Sequence, residues 1–163
     1  MEQGRDIIFA TELLRWIRQQ PEYFLGEVAL DLLRRLGYGW KIQPVSKISR
    51  TGKDDLTQGF LMKAPLLDFT ICVKPWPGNN NPVRLSSVTG FARELQRMGA
   101  HAGFFLTRAG FSDAAWEYVK SIDKKIVLID GKQLANFMID YRLGVSTTSS
   151  YHSGEIAHDY FRS

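Results

Sequence analysis

Lys74 closes a run, Asp68-Phe69-Thr70-Ile71-Cys72-Val73-Lys74, in which Phe69, Ile71 and Val73 alternate with Asp68, Thr70, Cys72 and Lys74. Period-two alternation predicts a strand with one face on the core and the other in a cleft. An ammonium at the cleft end of such a strand, opposite a strand bearing acids, suits metal-assisted phosphodiester hydrolysis. Here the preceding run, Gln58-Gly59-Phe60-Leu61-Met62-Lys63, brings no acid. Cys72 as a nucleophile needs a base beside it, and no histidine is near in sequence, so it reads as a small buried filler. His101, His152 and His158 do not share metal-ligand spacing and read as structural or surface residues. A second chemistry is suggested by charge. Between Arg34 and Lys63 lie seven basic residues against two acids, a local excess larger than the +4 of the whole chain. Within it Lys47, Arg50 and Lys53, with Lys74 and with Arg84 across a loop, can form a groove that tracks phosphates; the competing reading is a solvated face. Trp76, between Pro75 and Pro77, either anchors that loop under the sheet or stacks on a nucleobase.

The elements that must position these groups are legible in order. Ile8, Leu13, Leu14 and Ile17 predict a helix over 5–20 that Pro21 closes. Phe24, Val28, Leu32 and Leu36 recur every fourth residue and predict a second helix from Pro21, stopped at Gly37 by a left-handed cap. Trp40–Ile48 predicts a first strand, interrupted near Pro44. The two runs described above supply strands two and three, turning at Pro65. The breaker-rich segment 75–82 is a loop. A third helix follows over 84–98, with Val88, Phe91, Leu95 and Met98 inward. The continuous apolar run 102–107 is a central parallel strand covered on both sides. Ser112 caps a fourth helix, 126–129 is a second buried strand, and Asp130-Gly131 leads into a fifth helix over 132–141. The polar tail, with aromatic spots at Tyr151 and Tyr160-Phe161, either folds back as an edge segment or stays loosely attached.

At 163 residues, 44% hydrophobic, the chain suits one α/β domain with its own core: an initial helix over 1–20, the domain over 21–145 and a tail over 146–163. A single cysteine excludes a disulfide framework and a multi-cysteine zinc site. No apolar run approaches a membrane span and the N-terminus has no signal-peptide layout, so a cytoplasmic protein is expected. Three antiparallel strands followed by strands alternating with helices predict a mixed sheet flanked by helices.

Several stretches together resemble the Mrr-type restriction endonuclease catalytic domain, a member of the PD-(D/E)xK nuclease superfamily. They are Asp31-Leu32-Leu33 through Leu36-Gly37-Tyr38-Gly39, Lys74 with Trp76, Phe91-Ala92, and Gly103-Phe104-Phe105-Leu106-Thr107 with Phe111-Ser112. Ile126 to Gly131, with Leu134, Ala135 and Met138-Ile139-Asp140-Tyr141, follows the family's closing strand and helix. The resemblance spans residues 21–161 and implies a restriction-endonuclease-like core acting on duplex DNA in a restriction or anti-phage setting. A homodimer or a partner defence subunit is the implied assembly. The winged-helix DNA-binding domain usual in such proteins is not among these residues.

Carried over position by position, the family's helix acid falls on Gly26, the strand-two Asp on Gln58 and the Gln/Glu of the last motif on Cys72. Lys74 alone is retained. Mg²⁺ wants hard oxygen ligands and one or two carboxylates. Gln58 offers a neutral amide, Cys72 a soft sulfur and Gly26 nothing, while an unpaired lysine repels a dication. The expectation is therefore a DNA-binding domain with cleavage lost or weakened and no cofactor. The alternative is a divergent nuclease that uses Mg²⁺, its site rebuilt from Asp55, Glu22 and Lys74; a further one is a protein-interaction module on the same fold.

Overall fold

The computed structural model describes residues 2–38, 40–45, 59–76, 81–147, 154–156 and 158–161. Five strands form the main sheet in the order β1 (Lys41–Pro44), β2 (Phe60–Lys63), β3 (Thr70–Trp76), β4 (Ala102–Thr107), β5 (Lys125–Ile129). The first three pair antiparallel and the last three parallel, so β3 has a neighbour of each kind. This is the mixed α/β sheet that the sequence predicts.

Alternation along the strands assigns two cores. Phe60, Met62, Ile71, Val73, Ala102, Leu106 and Ile129 meet α1 (Glu2–Arg18), α2 (Tyr23–Arg35) and α5 (Gly131–Asp140) on one face. Cys72, Phe105, Ile126 and Leu128 meet α3 (Leu85–Met98) and α4 (Asp113–Ser121) on the other. α4 and α5 start where a side chain supplies a partner for the free N–H groups of the first turn. Ser112 Oγ accepts from the Ala115 amide, and Asp130 with Gln133 completes a reciprocal capping box on α5. Gly37, at φ 99°, and Gly99, at φ 67°, take the left-handed turns that end α2 and α3.

Differences from expectation fall at the edges. β1 is described only over four residues, and positions 46–48 lie outside the described residues. β3 begins at Thr70 and runs on through Pro75 to Trp76, where a break was expected after Lys74. Pro75, which lacks an N–H, stands opposite Leu106 of β4. The β3 face expected to open onto a cleft is instead largely covered by α3: Cys72 is buried there, and only Lys74 and Trp76 beyond it keep solvent contact.

The chain's tail folds back, but onto helices and not onto a sheet edge. β6 (Val145–Thr147) and β7 (Gly154–Ile156) form a separate two-stranded ribbon, followed by a 3₁₀ turn over His158–Phe161. Phe161 stacks on Phe24 at 5.3 Å, and the Tyr160 hydroxyl donates to Asp31 Oδ2 at 2.8 Å. Arg108, just past β4, ties the α1–α2 junction by donating to the Gln20 carbonyl at 2.6 Å.

Candidate active site

Lys74 is placed by β3, whose backbone pairs on both sides, and its side chain leaves on the α3 face beside Cys72. Its register partner in β4 is Phe105. Across from it, α3 contributes Glu94. The Lys74 Nζ donates to both carboxylate oxygens of Glu94, at 3.0 Å and 3.1 Å. The rings of Trp76 and Phe91 flank the amine at 5.9 Å and 6.0 Å, the outer limit of a cation–π contact. Side-chain exposures of 21% for Lys74 and 39% for Glu94 leave both in touch with water, which limits the pair to roughly 1 kcal/mol. Charge-assisted geometry therefore orients the amine more than it stabilises the fold.

Cys72 does not join that chemistry as a charged group. Burial, then the nearby Glu94 charge, push its thiol up to about 12, against the opposing pull of Lys74. A thiol so held is protonated at neutral pH and is a poor nucleophile there.

Gly26 lies buried on the inner face of α2, which packs against Ile71 and Val73, the side of the sheet away from Cys72 and Lys74. Glu22 is exposed at the N-cap of that helix, where its charge acts on Arg108. Gly59 takes φ 106°, and a Cβ there would stand 2.6 Å from the Val73 carbonyl oxygen. Only glycine lets the chain enter β2 so close to β3 at the level of Lys74. Gln58 and Asp55 lie outside the described residues, as do Lys47, Arg50 and Lys53. Arg84 is exposed at the N-cap of α3, ten residues before Glu94 and so roughly 15 Å from it along the helix axis. Trp76 is half-buried and tilts over Phe105 with ring centroids 5.7 Å apart.

The magnesium chemistry implied by the resemblance asks for clustered oxygen ligands. Among the described residues no three His, Cys, Asp or Glu side chains converge, and the carboxylate beside Lys74 already has its oxygens on the ammonium. Those residues do not fit a Mg²⁺ site. Glu94 is the site residue that sequence reasoning missed. One signal could have found it: an acid bordering the Phe91/Leu95 stripe, between Arg93 and Arg97, on the helix that crosses back over β3.

Comparison with known proteins agrees with this fold. The family model for the Mrr catalytic domain, described as a restriction endonuclease, matches residues 17–138. The chain is 29% identical over 148 residues to the type IV methyl-directed restriction enzyme EcoKMrr of Escherichia coli strain K12. That match covers 90% of this chain and 47% of the relative, so the chain spans about half the relative's length. Among solved structures, the MspJI restriction endonuclease in complex with a 27-mer oligonucleotide aligns at TM-score 0.54 and 17% identity, over 85% of this chain and 32% of that one. The DNA modification-dependent restriction endonuclease AspBHI aligns at TM-score 0.58 and 13% identity, over 83% and 35%. At those identities the two structures speak for the fold alone. With the family model covering most of its length, this chain belongs to the Mrr-type restriction endonuclease catalytic-domain family.

Proposed function

We propose that the domain engages duplex DNA through phosphate contacts, with metal-dependent cleavage lost or weakened, within a restriction or anti-phage system. The observation that carries this reading is the presence of Gly26 and Cys72 at two of the acid positions of the family. In this reading Lys47, Arg50, Lys53 and Arg84 supply phosphate contacts, and Lys74 serves as an anion anchor where a nuclease would use it in hydrolysis. The relative EcoKMrr, a methyl-directed restriction enzyme, supports DNA as the partner class.

One observation favours a second reading, an active divergent endonuclease: a carboxylate does stand beside Lys74. Incubation with supercoiled plasmid and Mg²⁺ or Mn²⁺ decides between them. Intact plasmid with salt-dependent DNA binding is the expected result. Nicking abolished by Lys74→Ala and Asp55→Ala replaces the first reading with the second. Absent binding at low salt removes DNA engagement altogether.

A further inference from the structure

We propose that Glu94 is a built-in competitor for the anion that Lys74 receives: in the free protein its carboxylate holds the place of a DNA phosphate, and binding exchanges one for the other. This rests on the DNA-engaging reading above.

Geometry, mobility and charge point the same way. The carboxylate meets the ammonium with two oxygens, at 3.0 Å and 3.1 Å, as the two non-bridging oxygens of a phosphodiester would. Both groups carry one negative charge. The two partners are not equally fixed. Lys74 is rooted in a strand paired on both sides and flanked by Trp76 and Phe91, with its side chain 21% exposed. Glu94 is 39% exposed, and among the described residues no second hydrogen bond or ion pair holds its carboxylate. A rotamer change releases it into water at small cost, so it is the member that leaves. The Cys72 thiol, buried beneath them, stays neutral and adds no charge. The site is thus electrically balanced while Glu94 is seated and offers a full positive charge once it swings away. Exchange of like anions makes the contact weak by construction, which favours transient tracking over tight capture.

The test is a fluorescence-anisotropy titration of a short labelled duplex with the wild type, Glu94→Gln, Lys74→Gln and the double variant, across several salt concentrations. Glutamine keeps the shape of Glu94 and removes its charge. The expected result for Glu94→Gln is affinity about three- to tenfold tighter near 0.1 M salt, with the salt slope close to that of the wild type, because Lys74 meets the same phosphate in both complexes. The double variant is expected to return to the level of Lys74→Gln, since the gain acts through the lysine. Unchanged or weaker binding by Glu94→Gln, with salt-dependent wild-type binding intact, overturns the competitor role and leaves the DNA reading standing. Loss of Mn²⁺-dependent nicking in Glu94→Gln overturns it as well, by making Glu94 part of a cleavage site. If neither wild type nor Glu94→Gln binds at any salt, the DNA reading falls and takes this inference with it. Glu94→Ala, with thermal melts of every variant, guards against a folding artefact.

Discussion

Replacing Gly103 by alanine puts one methyl group where α3 presses on the sheet. A Cβ at that position would stand 2.7 Å from both Cε2 and Cζ of Phe91 and 2.8 Å from Cδ1 of Leu95. Ordinary carbon contacts lie at about 3.5–4.0 Å, so the helix or the ring must retreat by about 1 Å. The ring has nowhere to go: Phe91 is fully buried and stands edge-on to Phe105 at 5.3 Å. Overpacking of this kind costs about 1–3 kcal/mol. The lower backbone entropy of unfolded alanine offsets roughly 0.4–1 kcal/mol of it. A net loss of about 1.5 kcal/mol lowers Tm by roughly 3–6 °C for a domain of this size. Calorimetry of the wild type, Gly103→Ala, Phe91→Leu and the double variant checks the mechanism. Phe91→Leu removes the two ring atoms in question, so the double variant should lose at least about 1 kcal/mol less than the sum of the singles. A Gly103→Ala melt within about 1 °C of wild type, or losses that simply add, would refute the claim that Gly103 sets the seat of α3. Since α3 carries Glu94, the same retreat should also loosen the ion pair on Lys74.

Gly131→Ala should be harsher, because its methyl would overlap the backbone carbonyl oxygen of Arg108, which cannot swing aside. A loss above about 3 kcal/mol in urea unfolding, at unchanged m, is expected. Tyr160→Phe removes the 2.8 Å hydrogen bond to the Asp31 carboxylate. It should cost roughly 1–2 kcal/mol and speed proteolysis of the tail while the sheet stays protected. Cys72 predicts an alkaline weakness. Its thiol is raised to about 12 in the folded protein, so the unfolded chain releases that proton first. Its contribution is therefore complete below the ordinary thiol range near 9 and falls as pH climbs from there toward 12. Urea midpoints should drop over that window and a Cys72→Ala variant should drop less; iodoacetamide should label the native thiol at pH 8 only as fast as the protein unfolds.

Legibility followed the range over which each interaction is decided. Ser112, Asp130, Gly37 and Gly99 announce their helix ends because capping is a matter of a few neighbouring residues. The apolar run Ala102–Thr107 announces a strand covered on both faces, since burial acts directly on composition. The continuation of β3 through Pro75 could not be seen, because proline is tolerated only once the neighbour on its hydrogen-bonding side is known. Tyr160 and Phe161 stand in a polar tail, and Asp31, 129 residues earlier, is nothing but a helical acid until the fold brings them together. Glu94 was hidden for the same reason. Between Arg93 and Arg97 it looks like one charge of a solvated helix face, and only the crossing of α3 over β3 turns it toward Lys74.

The change of direction at β3 also orders events as the chain folds. Its antiparallel neighbour, β2, is joined to it by a short turn, whereas its parallel neighbour, β4, is reached only after the whole of α3. Contacts close in sequence need little loop closure, and the parallel half must wait for the longer one. Lys74 belongs to the hairpin and Glu94 to the connecting helix, so their ion pair can close only once the crossover docks.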